Sequence, residues 1–140
     1  MRRAFEELGG AQRFVSRGDV VVVKPNASWD RTPEQAANTN PLVVAETVRL
    51  CLEAGAKKVI VTDVTINEPH RCFERSGIGE AARAAGAEIV LPGEQGFREV
   101  DLRGEVLGPN PVLEPFLNAD KLINLPVAKH HSLTGATLGM

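Results

Sequence analysis

The sequence is poor in the residues that mark the commonest specialised functions. Its 140 residues contain two cysteines, three histidines and one tryptophan, and the 16 lysines and arginines are scattered rather than massed. Two distant cysteines do not make a disulfide scaffold in a chain long enough to bury a core of its own. Nor can Cys51 and Cys72 alone hold an iron–sulfur cluster, which takes four ligands, usually closely spaced cysteines. Cys51 falls within a helical apolar pattern and reads as a small buried hydrophobe, and Cys72 reads the same way. The net charge is −2 and no basic stripe is present, so nucleic acid is not an expected partner. No apolar run approaches the roughly 20 residues of a membrane span, and no apolar stretch follows the arginines of "MRRAFEELGG" as in a signal peptide. As given, the chain is expected to be soluble and cytoplasmic, with no membrane partner.

What is present is ordinary globular material: 43% hydrophobic and 24% charged residues, suited to a single α/β domain over residues 1–140. "MRRAFEEL" reads as a short opening helix stopped by Gly9-Gly10. Val20 to Val23 form an unbroken β-branched run, the pattern of a strand covered on both faces. "NPLVVAETVRLCLEAGA" is the clearest helix. Asn40 can cap it, Pro41 suits its first position, and Gly55 can end it. Its Val44, Val48, Cys51 and Leu52 recur on one face. "KKVIVTD" reads as a second core strand and "SGIGEAARAAGA" as a second helix, capped by Ser76 or Gly77 and ended by Gly86. "EIVLP" reads as a third strand. "EAGAKKVIV" and "AAGAEIVL" share the order helix end, Ala-Gly-Ala, charge, apolar strand, as in the short loops of βα units. "FREVDLRGEVLG" alternates about Arg103-Gly104 and predicts a hairpin. "PVLEPFLNAD" predicts a short helix or turn ending near Asn118, and "KLINLP" the last strand. The expected architecture is a mainly parallel sheet with helices on both faces, a Rossmann-like three-layer arrangement, plus a small hairpin insertion.

Ligands of open parallel sheets bind beyond the carboxyl ends of the strands, so the residues that follow each strand matter most. The first strand exits into Lys24-Pro25-Asn26, the second into Thr62-Asp63 with Asn67 and Glu68 beyond, and the last into Lys129-His130-His131. Each has a plain alternative. Lys24 can snorkel from a strand end, Asp63 can cap the next segment, and paired histidines in a loop are usually solvated. The two histidines lack the i, i+4 spacing of a helical metal site, so no metal is assigned to them. His131 as a general acid or base suits a pKa near neutrality. "HSLTGAT" raises an anion argument, because Ser132 or Thr134 at the cap of a following helix would leave free N–H groups beside Lys129. "NASWDRTPEQAANT", with Trp29 and Asp30, has the length of a lid or binding segment, or of a surface excursion.

"VVVKPNASWDRTPEQAANTNPLVV", "EAGAKKVIVTD", "FERSGI" and "INLPVAKHHSLTGATLGM" together resemble the family called domain of unknown function 362, over most of the chain from about Val20. The resemblance places Lys24, Asn26, Lys129 and His131 at the family's motif positions and supplies no mechanism. Some relatives carry ferredoxin-like modules and are labelled iron–sulfur proteins. Others carry a twin-arginine export signal, which would make them periplasmic or extracellular. This sequence shows neither the ferredoxin cysteines nor the signal. Relatives continue beyond the position of Met140, which makes a missing C-terminal part an expectation, with a homo-oligomer as an alternative.

The reading these residues support is a domain that binds a small anionic or carbonyl-bearing molecule at the carboxyl edge of its sheet, with no cofactor specified. Lys129 and Lys24 would hold or polarise an oxyanion, His131 would move a proton, and Asp63 would orient it. Asn26, Trp29, Asp30, Ser132 and Thr134 complete the expected ligand-binding set. The alternative is a redox-linked or metal- or iron–sulfur-associated accessory module without catalysis of its own.

Overall fold

A computed structural model describes residues 1–93, 96–137 and 139. Four parallel strands form the central sheet: β1 (Val20–Pro25), β2 (Lys58–Val61), β3 (Glu88–Ile89) and β6 (Lys121–Leu125), in the order β3-β2-β1-β6. Val22 pairs with Ile60 on one side and Leu122 on the other. The chain steps outward from β1 through helix α2 (Pro41–Glu53) to β2. It then steps through α3 (Pro69–Arg75) and α4 (Ile78–Ala84) to β3. It returns across the sheet to place β6 on the far side of β1. The direction of winding therefore reverses between β1 and β6, and that reversal opens a crevice at the strands' carboxyl ends.

One layer of the core lies between the sheet and α2 and α4. Val21, Val23, Val59 and Val61 pack in one cluster with Val44, Val48, Cys51, Ile78 and Ala82, nearly all fully buried. Burying each of the larger side chains contributes about 1.5–3 kcal/mol. The alternate strand residues Val22, Ile60 and Thr62 face the other way and are buried too, so both faces of the sheet are covered. The return connection carries the ribbon of β4 (Phe97–Asp101) and β5 (Pro109–Leu113), then α5 (Glu114–Leu117). This is the expected three-layer α/β fold with a hairpin insertion.

Local chemistry explains the element ends. Asn40 Oδ1 accepts the Leu42 N–H at 2.9 Å and Pro41 opens α2, as expected. The two Ala-Gly-Ala exits have matching geometry. The Ala56 N–H reaches Cys51 O at 3.1 Å, the Ala87 N–H reaches Ala82 O at 3.0 Å, and Gly55 and Gly86 both have φ +101°. A Cβ on Gly86 would lie 3.0 Å from Leu52 Cδ1, so glycine is needed there on two counts.

Several sequence expectations are corrected. "TINEPHRC", whose sequence reads as a loop after the second strand like that around Trp29, is not all loop: Pro69 opens α3, and the Glu68 carboxylate accepts the N–H groups of His70 (3.1 Å) and Arg71 (2.8 Å). That cap holds the Glu68 carboxyl below the usual range. The insertion hairpin pairs Asp101 with Pro109 and Phe97 with Leu113, so its return strand begins after residue 108, not at Gly104. Asp101 Oδ1 accepts the Arg103 N–H at 2.9 Å and Arg103 adopts φ +51°, which ends β4 early. Pro109 and Pro111 sit two apart, so both can take the positions that donate no ladder bond. In "EIVLP" only Glu88 and Ile89 pair with β2. Most consequentially, among the described residues no helix follows Ser132 or Thr134. β7 (Lys129–His131) and β8 (Gly135–Thr137) form an antiparallel hairpin across a three-residue turn, closed by Gly135 at φ +76°. The proposed helix-cap anion site is therefore absent.

Candidate functional site

The residues leaving β1 and β6 are clasped together by Thr39. Its hydroxyl donates to Leu125 O at 2.6 Å and accepts the Asn26 N–H at 2.8 Å, while its own N–H reaches Asn26 O at 2.9 Å. Thr39 is buried, so this clasp fixes the two strand exits to each other where the sheet reverses.

A charge pair joins the exits of β1 and β2. Asp63, 2% exposed, places Oδ1 2.8 Å from Lys24 Nζ and accepts the Ala27 N–H on Oδ2 at 2.8 Å. Side chains at the carboxyl ends of two strands are thereby tied to each other and to the backbone beside Asn26. Neither Lys24 nor Asp63 lines the open cleft, so both act on it as supports.

The cleft itself has a volume of about 550 Å³. The loop after β1 supplies Asn26, Trp29 and Arg31, the hairpin supplies Lys129, His130, His131 and Ser132, and Ile66 closes one side. Lys129 Nζ donates to Asn26 Oδ1 at 2.9 Å and to Ala37 O at 2.7 Å, and lies 5.9 Å from the centre of the Trp29 ring. Partial burial holds the Lys129 ammonium below its ordinary pKa, with the charge of Asp63 working in the opposite direction. His131 shares its strand face with Lys129, and His130 points the other way. His131 Nδ1 accepts the N–H groups of Leu133 (3.3 Å) and Thr134 (3.2 Å), so in the neutral ring the proton is on Nε2. Thr134 donates its hydroxyl to Ala136 O within the turn and does not line the cleft.

The Trp29 segment is held on all sides. Asn38 accepts the Trp29 N–H at 3.1 Å and donates to Trp29 O at 2.7 Å. A capping box between Thr32 and Gln35 builds a 3-10 turn over Pro33–Gln35. Ser28 O accepts the N–H groups of both Ile66 and Asn67 at 3.1 Å, and Asn67 Oδ1 accepts the Asp30 N–H at 3.1 Å. Asp30 turns its carboxylate away from the cleft, onto Arg71 at 2.7 Å and Arg75 at 3.6 Å on α3. The segment is therefore a built wall of the site, with Asp30 as its outer anchor. Thr39, Asn38 and Ile66 were not singled out from the sequence. The only local signal was the position of Thr39 directly before the helix cap at Asn40.

Both cysteines are buried in the core cluster, as expected, and burial pushes the Cys51 thiol up to about 11. Among the described residues, no three His, Cys, Asp or Glu side chains come together as metal ligands, and no helix is long and apolar enough to cross a membrane. No acidic residue lines the cleft among the described residues, whereas Arg31, Lys129 and His131 do.

Parallel strands, a reversal between β1 and β6, and a basic cleft at that point define an α/β domain with a cleft where open parallel sheets generally bind their ligands. Residues 21–140 match the family model described as "Domain of unknown function (DUF362)", and the chain belongs to that family. It is also similar to the Thylakoid-associated protein sll1697 of Synechocystis sp. (strain ATCC 27184 / PCC 6803 / Kazusa), at 29% identity over 147 residues. That match covers 100% of this chain but 43% of the relative, so the chain spans less than half the length of that protein. No solved structure matches.

Proposed function

We propose that this domain binds a small anionic ligand in the cleft between the Trp29 segment and the β7–β8 hairpin. The observation that carries this reading is the sign of the lining: Lys129, Arg31 and His131 line one cleft in which no described residue is acidic. Lys129 is already oriented by Asn26 and Ala37, so an anion meets a cation whose position costs little further ordering. A carbonyl oxygen at the same place would be polarised by the same charge. If chemistry accompanies binding, His131 Nε2 is the atom that carries a transferable proton, because Nδ1 is committed to the turn.

The test is titration of phosphate, acetate and benzoate at low ionic strength, followed by the shifts of backbone amide signals in NMR. Binding should map to Trp29, Lys129 and His131. Lys129→Met should weaken it at least about tenfold, the worth of one charge-assisted hydrogen bond. Unchanged binding in that variant, or no binding of any anion to the wild type, would rule the reading out.

A further inference from the structure

We infer that the ligand of this cleft is an organic anion with a flat apolar body, bound charge-first on Lys129 and body-first on Ile66 and Trp29, rather than a compact inorganic ion. This rests on the anion-binding reading above and narrows its ligand class.

Three observations lead there. The cleft's 550 Å³ falls within the roughly 300–1,000 Å³ that pockets for drug-sized organic molecules occupy, far more room than a phosphate or acetate fills. Its walls are divided by chemistry. The hairpin contributes Lys129 and His131, while the segments after β1 and β2 contribute Trp29 and Ile66. Ile66 is 68% exposed, a large apolar side chain left open to water at the wall of a basic cleft. Its position is no accident of a loose loop, because its N–H and that of Asn67 both end on Ser28 O, one residue before Trp29. The apolar wall is thus fixed to the same segment that receives Lys129. An apolar surface held in place, uncovered, and sharing a cleft with a positioned cation is complementary to a molecule with one charged end and one flat apolar end.

The experiment compares carboxylates of equal charge and growing body: acetate, benzoate and 2-naphthoate, with neutral 2-naphthalenemethanol as control, by NMR titration of the wild-type chain and of Ile66→Ser. Ile66 is exposed enough for this change to leave the fold intact. Affinity should rise at least about tenfold from acetate to 2-naphthoate, in keeping with the added apolar burial. The neutral alcohol should bind at least about tenfold more weakly than 2-naphthoate. Ile66→Ser should lower 2-naphthoate affinity several-fold and leave acetate unchanged. If acetate binds as tightly as 2-naphthoate, or Ile66→Ser has no effect on 2-naphthoate, the inference is overturned while the anion-binding reading stands. If the alcohol matches 2-naphthoate, or no carboxylate binds, the anion-binding reading itself falls.

Discussion

Lys129 Nζ lies 2.9 Å from Asn26 Oδ1 although 103 residues separate them, and the same ammonium reaches Ala37 O at 2.7 Å. One side chain from the end of the chain therefore bridges both sides of the Trp29 segment. It does so where β1 and β6 lie side by side and the winding of the sheet reverses. The contact joins fold to site: it exists only because the fourth strand returns to the far side of the first.

The depressed Lys129 pKa has two consequences of opposite sign. Its charged form is disfavoured in the folded protein, chiefly by burial. Between the lowered folded value and the ordinary 10.5, the unfolded chain holds more protons at this site, so its contribution to stability should rise with pH across that window. Anion binding needs the ammonium, so affinity should fall across the same window and start to fall below pH 10.5. Calorimetric melting and anion titration over this range test both, and Lys129→Met should remove the Lys129 share of each, leaving in the melting curve the opposite contribution of the buried Cys51 thiol. A wild-type affinity that stays flat up to pH 10.5 would contradict the assignment.

Breaking the Lys24–Asp63 pair should cost stability rather than binding specificity. Lys24→Ala leaves the Asp63 carboxylate buried with only the Ala27 N–H, and removing one partner of a buried pair typically costs about 3–5 kcal/mol. Lys24 is 36% exposed, which places the expected loss at the lower end of that range. Asp63→Asn should be milder than Asp63→Ala, because the amide oxygen can still accept from Ala27. Urea unfolding of the three variants gives the order directly, and equal losses for Asn and Ala would refute the role given to that hydrogen bond.

The Thr39 clasp makes a sharper prediction from a near-isosteric change. Thr39→Val keeps the shape but leaves Leu125 O without its hydroxyl donor and the Asn26 N–H without its short bond, at a cost of about 1–3 kcal/mol. Thr39→Ser should recover most of that. Crosspeaks of Asn26 and Lys129 should move in the valine variant and return in the serine variant.

Asp30 anchors the Trp29 segment to α3 through Arg71 and Arg75, so its removal should be felt at the tryptophan. Trp29 is the only tryptophan and the chain has no tyrosine, so intrinsic fluorescence reports this one wall. Asp30→Ala should shift the emission to the red and increase its quenching by iodide, with little change in helical circular dichroism. An unchanged spectrum would mean that the backbone bonds to Asn38 and Asn67 hold the segment without the Asp30 ion pairs.

Much of the fold is legible in the chain because its signals are local. The valine run of β1, the Asn40-Pro41 start of α2 and the paired Ala-Gly-Ala exits depend on residues within a few positions of one another. The elements misread are those where local signals compete. Glu68-Pro69 can be turn or helix cap, and burial of Cys72 and Phe73 decides for the helix. "HSLTGAT" carries cap residues and a hairpin glycine together, and the acceptor at His131 Nδ1 with Gly135 at positive φ decides for the hairpin.

The sequence by itself determined which polar residues stand at strand exits, since strand periodicity and turn chemistry are properties of neighbouring residues. It thereby brought Lys24, Asn26, Asp63, Lys129 and His131 to one edge of the sheet. Only the tertiary structure decided how they divide the work. Lys24 and Asp63 form a supporting pair outside the cleft lining, and Asp30 turns outward to α3. Lys129 crosses to Asn26 and Ala37, beside the Trp29 ring, in a cleft that Ile66 also lines. That division follows from strand order and from which face each side chain leaves, and both are set by packing between segments as far apart as residues 26 and 129.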